Sequence, residues 1–88
     1  MMEKIELIPI FSKQKNFHGK AYIIEIGNET NLYSYDILVA RIIKYCNTAE
    51  VYNIDSDSTL RHVKEFLIQA GYPATNKKQI IQDYFTTV

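Results

Sequence analysis

The sequence is poor in several residue types, and each shortage narrows the class of protein. Its single cysteine, Cys46, cannot form a disulfide within the chain, so we expect a protein of the reducing cytoplasm. Tryptophan is absent, glycine and proline number three and two, and there is no repeat or low-complexity tract. No apolar run approaches the ~18 residues of a membrane span, and no signal-peptide pattern opens the chain, so we expect no membrane association.

The sequence also lacks an excess of either basic or acidic residues. Ten basic and ten acidic residues give a net charge of zero, which argues against binding to nucleic acid through a broadly basic surface. The charges are nevertheless unevenly placed: residues 21–60 carry a net charge of −4, whereas residues 1–20 and 61–88 each carry +2. The central segment therefore predicts an acidic surface that fits a basic partner, with a merely solvated surface as the alternative.

What is present is the composition of a small globular protein. With 47% hydrophobic and 23% charged residues, residues 1–88 predict a single folded domain. A chain of this length buries only about 60% of its unfolded surface, so its core is expected to be small.

Alternation of apolar and polar residues predicts an antiparallel β-meander of three to four strands in the first two thirds of the chain. Residues 3–11 predict a short edge segment, because Pro9 lacks an amide donor. Further strands are predicted at residues 21–26, 32–45 and 51–55. In a regular strand Tyr33 and Tyr35 would point to one face, but residues 37–40 are apolar on both faces, so we expect a bulge or bend near Asp36.

Helical spacing replaces this alternation in the last third of the chain. The stretch STLRHVKEFLIQA (58–70) predicts the main α-helix, which Gly71 and Pro73 would end. Ser56, Asp57 or Ser58 is expected to cap its first turn. Asn76 and Gln79 predict the cap of a short C-terminal helix. The predicted fold class is α+β: an antiparallel meander packed by one main α-helix, with a short C-terminal helix. One helix covers one sheet face, so the other face is expected to meet a terminal segment or another chain.

The sequence offers few groups for chemistry. His18, His62 and Cys46 lie in three predicted elements without metal-ligand spacing and without a supporting acid, so we expect no catalytic set, no metal and no other cofactor. Tyrosine is the unusual residue, with seven of the eleven aromatics, and it combines a large apolar ring with a hydroxyl that can stay hydrated. The candidate partner-binding residues are Tyr22, Tyr33, Tyr35, Asp36, Tyr52, Arg61 and His62.

Three stretches carry recognisable motifs: FHGKAYIIE (17–25), LYSYDILVARI (32–42) and STLRHVKEFLIQAGY (58–72). Together they resemble a family of short proteins of unknown function that is common in phages and other mobile elements of gut bacteria. The family pattern is Phe-x-Gly-Lys-Ala, then Leu-Tyr-Ser-Tyr with a following Val-Ala, then Ser-x-Thr-Thr-x-Arg-His ahead of Phe-Leu; Ser58 stands where threonine is usual. The resemblance implies a phage accessory protein and carries no established activity.

We therefore expect a non-enzymatic accessory protein in the cytoplasm of a host bacterium. It would bind and inhibit a host protein, with a bacterial defence nuclease as the expected partner, in the manner of small anti-CRISPR proteins. A homodimer through an uncovered sheet face is a further expectation. The first alternative is a module for single-stranded nucleic acid, in which tyrosines stack on bases while Lys13, Lys15, Lys20 and Arg61 contact phosphates. A weaker alternative is a small-ligand sponge or an enzyme that uses His62.

Overall fold

The computed structural model describes residues 3–86, which form one five-stranded antiparallel sheet with two helices. The strands are β1 (Glu3–Glu6), β2 (Ala21–Ile26), β3 (Glu29–Ser34), β4 (Ile37–Ile43) and β5 (Thr48–Val51), and the helices are α1 (Asp57–Gln69) and α2 (Lys77–Tyr84). Their order in the sheet is their order in the chain, β1-β2-β3-β4-β5. The predicted α+β class, with an antiparallel meander and two helices, is confirmed, and the strands number five rather than three to four.

The region predicted as one long strand is a β-hairpin. β3 ends at Ser34, β4 begins at Ile37, and the two residues between them form the turn. Tyr35 and Asp36 have φ angles of 52° and 65°, the left-handed geometry that lets a two-residue turn follow the twist of its strands. The expected bend of a continuous strand near Asp36 is therefore wrong, because the chain reverses direction there.

A β-bulge in β4 explains why the apolar run at residues 37–40 departs from strand alternation. Leu32 lies opposite Ala40 and Tyr33 lies opposite Leu38, so Val39 has no partner in β3. Val39 and Ala40 are both buried. The bulge thus turns two consecutive residues toward the core, three residues beyond the position where the sequence predicted it.

The hydrophobic core lies between one face of the sheet and the two helices. Its strand residues all belong to that face: Ala21, Leu32, Val39, Ala40, Ile42, Ala49 and Val51. Val63, Phe66 and Leu67 of α1 and Ile80 of α2 pack against them. Among residues 3–86 the core has no strand residue from the opposite face, so the helices cover one side of the sheet only.

Local capping fixes where each helix begins. The Ser56 hydroxyl oxygen accepts the Thr59 N–H at 3.1 Å, and the Asn76 side-chain oxygen accepts the Gln79 N–H at 2.9 Å. Asn76 was predicted as the cap of α2, and Ser56 was one of three candidates for the cap of α1. At the sheet edges, β1 pairs with β2 alone, whereas β5 also receives a hydrogen bond from the Thr86 N–H to the Val51 carbonyl at 2.8 Å. Neither helix among residues 3–86 has the length and apolarity of a membrane span.

Candidate functional site

The candidate site is the sheet face that points away from both helices, named here the open face. Side chains alternate along each strand, so the register decides which residues point there. The open face comprises Lys4, Glu6, Tyr22, Ile24, Ile26, Glu29, Asn31, Tyr33, Leu38, Arg41, Ile43, Glu50 and, directly after β5, Tyr52. The core and both helices lie on the other side of the sheet, so neither helix covers the open face.

A pair of stacked tyrosines lies toward the β1 side of the open face. The rings of Tyr22 and Tyr33 are nearly parallel, at 5°, with centroids 5.3 Å apart. Lys4 Nζ lies 4.2 Å from the centre of the Tyr22 ring, and the Tyr22 hydroxyl donates to Asp36 Oδ1 at 3.0 Å. Burial, and then the hydrogen bond to Asp36, raise the pKa of Tyr22. The hydroxyl therefore stays protonated at neutral pH and keeps donating to the turn.

An arginine held by side-chain contacts occupies the centre of the open face. Arg41 Nε donates to Asn31 Oδ1 at 3.0 Å and lies 3.5 Å from Glu29 Oε1. Asn31 is only 4% exposed, and its Nδ2 donates to the Ile24 carbonyl at 3.3 Å. Asn31 therefore connects the guanidinium to the backbone of β2, and these contacts fix the position of Arg41 on the sheet.

The β5 side of the open face adds a third tyrosine. The Tyr52 ring lies 5.7 Å from the Arg41 guanidinium carbon, and its hydroxyl donates to Glu50 Oε1 at 2.5 Å. Burial and the bond to Glu50 raise the pKa of Tyr52 to about 12, so this hydroxyl also stays protonated.

The open face and its adjoining turn are acidic overall. They contain two cations, Lys4 and Arg41, and four carboxylates, those of Glu6, Glu29, Asp36 and Glu50. The net charge is thus −2. Glu29, Asp36 and Glu50 come from the central segment for which the sequence predicted an acidic surface, and the fold gathers them around the tyrosines.

Of the predicted site residues, the structure brings four together. Tyr22, Tyr33 and Tyr52 lie on the open face, and Asp36 lies at its rim in the hairpin turn. Tyr35 does not lie on the open face, because it belongs to the turn, where its ring centroid is 5.8 Å from that of His62.

The other predicted residues lie elsewhere. Arg61 is exposed on α1, in the helical layer on the far side of the sheet. Lys13, Lys15 and Lys20 are exposed in the loop between β1 and β2. The basic residues expected to contact phosphates are therefore separated from the stacked tyrosines expected to bind bases.

His62 belongs to a buried polar network beneath the hairpin turn. It is 3% exposed, and its Nδ1 lies 2.7 Å from Ser34 Oγ, which in turn lies 3.2 Å from Thr59 Oγ1. The Phe17 ring packs edge-on at 4.5 Å. Burial, and then the charge of Arg61, lower the pKa of His62, so the ring is neutral at pH 7.

The spacing of Ser34 and His62 resembles that of a nucleophile and its base, but the pair cannot meet a substrate. Both residues are buried, and no carboxylate among residues 3–86 hydrogen-bonds to His62. The network instead fastens β3 to α1, which joins the LYSY stretch to the STLRH stretch. The partner of His62 is thus the hydroxyl of the strand residue Ser34. In the same described range, no three potential metal-ligating side chains cluster.

Sequence reasoning missed Lys4, Asn31 and Arg41 as members of the site. A signal was available, because a two-residue turn at residues 35–36 would set the pairing of Asn31 with Arg41. Tyr-Asp is an uncommon pair in such a turn, and a continuous strand was predicted in its place.

Comparison with known families shows that the chain belongs to a family of unknown function (DUF8033), whose model matches residues 5–83. This confirms the expected membership of an uncharacterised family. No curated protein and no solved structure matches the chain.

Proposed function

We propose that this member of a family of unknown function is a non-enzymatic binding protein whose open face docks on another protein. The Tyr22–Tyr33 stack carries the proposal, because these large rings lie on a face that contributes nothing to the hydrophobic core. Tyrosine and arginine are the residues that most often dominate binding energy at protein interfaces.

The open face is also organised in advance of binding. Tyr22 is held by Asp36, Arg41 by Asn31 and Glu29, and Tyr52 by Glu50. Side chains that are already ordered lose little entropy on association, so more of the contact energy remains as affinity.

The charge of the open face favours a basic partner. Four carboxylates against two cations would attract a cationic surface and would repel a second copy of the same face. We therefore favour a host protein over a homodimer, and specifically a defence nuclease whose basic nucleic-acid channel the open face would occupy. The expected action of a phage accessory protein is then inhibition of that nuclease.

Affinity capture from bacterial host lysate tests the proposal, with Tyr33→Ala as the disrupting variant. Tyr45→Ala is the matched control, because Tyr45 is 78% exposed and lies in the turn after β4, away from the stack. Wild type and the control should retain a stoichiometric protein that Tyr33→Ala loses. Tyr33 is half-buried, so its removal should cost roughly 1–2 kcal/mol of stability, which thermal melting measures.

The identity of the captured protein then tests whether the partner is a defence nuclease. A nuclease whose cleavage is blocked by the wild-type chain and not by Tyr33→Ala would support inhibition through the open face. Recovery of the same proteins by all three baits, or of no stoichiometric partner, would argue against protein binding by this face.

A single-stranded nucleic-acid module is the second candidate, and the position of Lys4 over the Tyr22 ring favours it. Against it, Lys13, Lys15 and Lys20 are not on the open face, whereas three carboxylates lie on it and that of Asp36 lies at its rim. Fluorescence anisotropy with an oligothymidylate at low salt separates the two candidates. Binding that weakens steeply with salt and disappears in Tyr33→Ala would establish the nucleic-acid function.

A further inference from the structure

A second surface feature lies in the helical layer, remote from the open face. A cavity of about 690 Å³ opens between the β1–β2 loop and α1, and its walls include Phe11, Lys13, Gln14, Arg61, Lys64 and Ile68. This volume is within the range of ordinary small-molecule sites, roughly 300–1,000 Å³. We name it the loop cavity.

A buried carboxylate builds the loop cavity. Glu65 of α1 is 2% exposed, and its two oxygens accept the backbone N–H groups of Ile10, Phe11 and Ser12 at 2.9 to 3.1 Å. Gln69 Nε2 adds a fourth donor at 2.6 Å. Charge-assisted bonds of this kind are the strong ones, so they hold the loop against the helix and keep the cavity open without a ligand.

The charge of the loop cavity is cationic. The Glu65 carboxylate is stabilised by four neutral donors and stays negatively charged, whereas Lys13, Arg61 and Lys64 form no ion pair within residues 3–86. Three cations and the single carboxylate of Glu65 therefore line one concave space, which has a net charge of +2. Such a site attracts a ligand with several negative charges, as phosphate esters have.

An aromatic ring stands beside these cations. Phe11 is 61% exposed, although a phenyl ring gains from burial, and Ile68 adds a second apolar surface to the same cavity. A planar ring on a ligand can stack on Phe11 while its charged end reaches the cations. Carboxylates of an acidic peptide would pair with the cations but would not stack on the Phe11 ring.

We propose that the loop cavity binds a nucleoside phosphate, with Lys13, Arg61 and Lys64 contacting the phosphates and Phe11 stacking on the base. The ligand is either a free nucleotide or the phosphorylated end of a nucleic-acid strand, because both present the same groups. This site is separate from the open face and does not depend on the function proposed for that face.

Isothermal titration calorimetry at low salt tests the site with ATP, pyrophosphate and a short oligothymidylate bearing a terminal phosphate. ATP should bind one to one, and Lys13→Gln, Arg61→Gln and Lys64→Gln should each weaken it about tenfold or more. Lys78→Gln is the matched control, because Lys78 is exposed on α2 and should leave affinity unchanged. Phe11→Leu should weaken ATP at least about fivefold while leaving pyrophosphate unchanged.

Several outcomes would overturn the proposal. They are no heat with any probe, equal binding of ATP and pyrophosphate, or an equal loss in Lys78→Gln, which would indicate diffuse charge attraction. Ligand-free melting curves confirm that each variant is folded. Tighter binding of the oligothymidylate than of ATP would identify the strand end as the natural source, and the reverse would identify the free nucleotide.

Discussion

At the scale of single residues, Tyr35 and Asp36 adopt a backbone conformation that their side chains disfavour. Each has positive φ, which costs a residue other than glycine roughly 1–2 kcal/mol. Both side chains have contacts, since Tyr35 packs on His62 and Asp36 accepts the Tyr22 hydroxyl. The strained residue Asp36 thus holds the hydroxyl of Tyr22, which lies on the open face. Strained residues of this kind often mark functional sites.

The first prediction follows from this strain. Asp36→Gly should relieve the left-handed penalty at residue 36 and match or exceed the wild type in stability, by about 0.5–1 kcal/mol. It should also weaken partner capture, because Tyr22 loses its acceptor. Thermal melting and affinity capture measure the two effects. A variant that is less stable and binds normally would show that the carboxylate serves the fold alone.

The second prediction concerns His62 and pH. Its pKa is lowered from an ordinary 6.5 in the folded chain, so the unfolded chain takes up a proton first as the pH falls. The stabilisation is complete above pH 6.5 and is lost as the pH decreases through 6.5 toward the folded pKa. The melting temperature should therefore fall between about pH 7 and pH 5, where an ordinary histidine titrates.

A matched pair of substitutions isolates this effect. His62→Gln should reduce the slope of melting temperature against pH, whereas His18→Gln, at an exposed position in the β1–β2 loop, should leave the slope unchanged. An unchanged slope in His62→Gln would assign the pH dependence to other groups.

At the scale of elements, the sequence predicted those features that depend on contacts between residues close together in the chain. Ser56 and Asn76 were identifiable as helix caps, and helical spacing located α1, because each depends on residues within one or two turns. β2 was predicted with its observed bounds because residues 21–26 favour strands and the turn residues Gly27 and Asn28 follow directly.

The hairpin and the loop cavity depend on information that local patterns lack. Tyr35 is not a favoured turn residue and no glycine accompanies Asp36, so the register of β3 with β4 was not predictable from the turn residues. The backbone partners of Glu65 lie more than fifty positions earlier in the chain, and no spacing rule connects them with it. Arg61 and Lys13 were each noted as phosphate candidates, but only the fold places them with Lys64 around one cavity.

The third prediction concerns the attachment of the β1–β2 loop to α1. Burial alone would raise the pKa of Glu65, but the bonds from Gln69 and from three backbone N–H groups outweigh it and lower the pKa below its ordinary 4.5. Glu65→Gln should cost roughly 2–3 kcal/mol at neutral pH, because the amide nitrogen cannot accept the backbone donors. Chemical denaturation measures this loss.

The same variant has a defined acid dependence. The stabilisation from Glu65 is present above pH 4.5 and is lost as the pH falls through the lower folded pKa, so Glu65→Gln should flatten the stability profile in that acidic range. Glu3→Gln, at an exposed position on β1, is the control and should keep the wild-type profile. A wild-type profile in Glu65→Gln would mean that the loop is held by its apolar contacts.

At the scale of the whole molecule, the two proposed surfaces lie on opposite layers. The open face belongs to the sheet, whereas the loop cavity lies between α1 and the β1–β2 loop. Within residues 3–86 no side-chain hydrogen bond or ion pair joins the two surfaces, so substitutions in them should act independently.

The fourth prediction follows from this separation. Tyr33→Ala should leave nucleotide affinity unchanged, and Lys13→Gln should leave partner capture unchanged, because neither substitution touches the other surface. The double variant should show the sum of the two single effects in both assays. A nucleotide affinity that changes in Tyr33→Ala would reveal coupling through the sheet.

The sheet order also bears on how the chain folds. Each strand pairs with its neighbour in sequence, and the connections from β2 to β5 are short, so this part of the meander can form by successive short closures, which favours rapid folding. The Glu65 bonds to residues 10–12 close a much longer loop and carry a larger entropic cost. We therefore expect the meander to collapse early and the loop cavity to acquire its shape last. In amide hydrogen exchange, Ile10, Phe11 and Ser12 should then open more readily than the amides of β3 and β4.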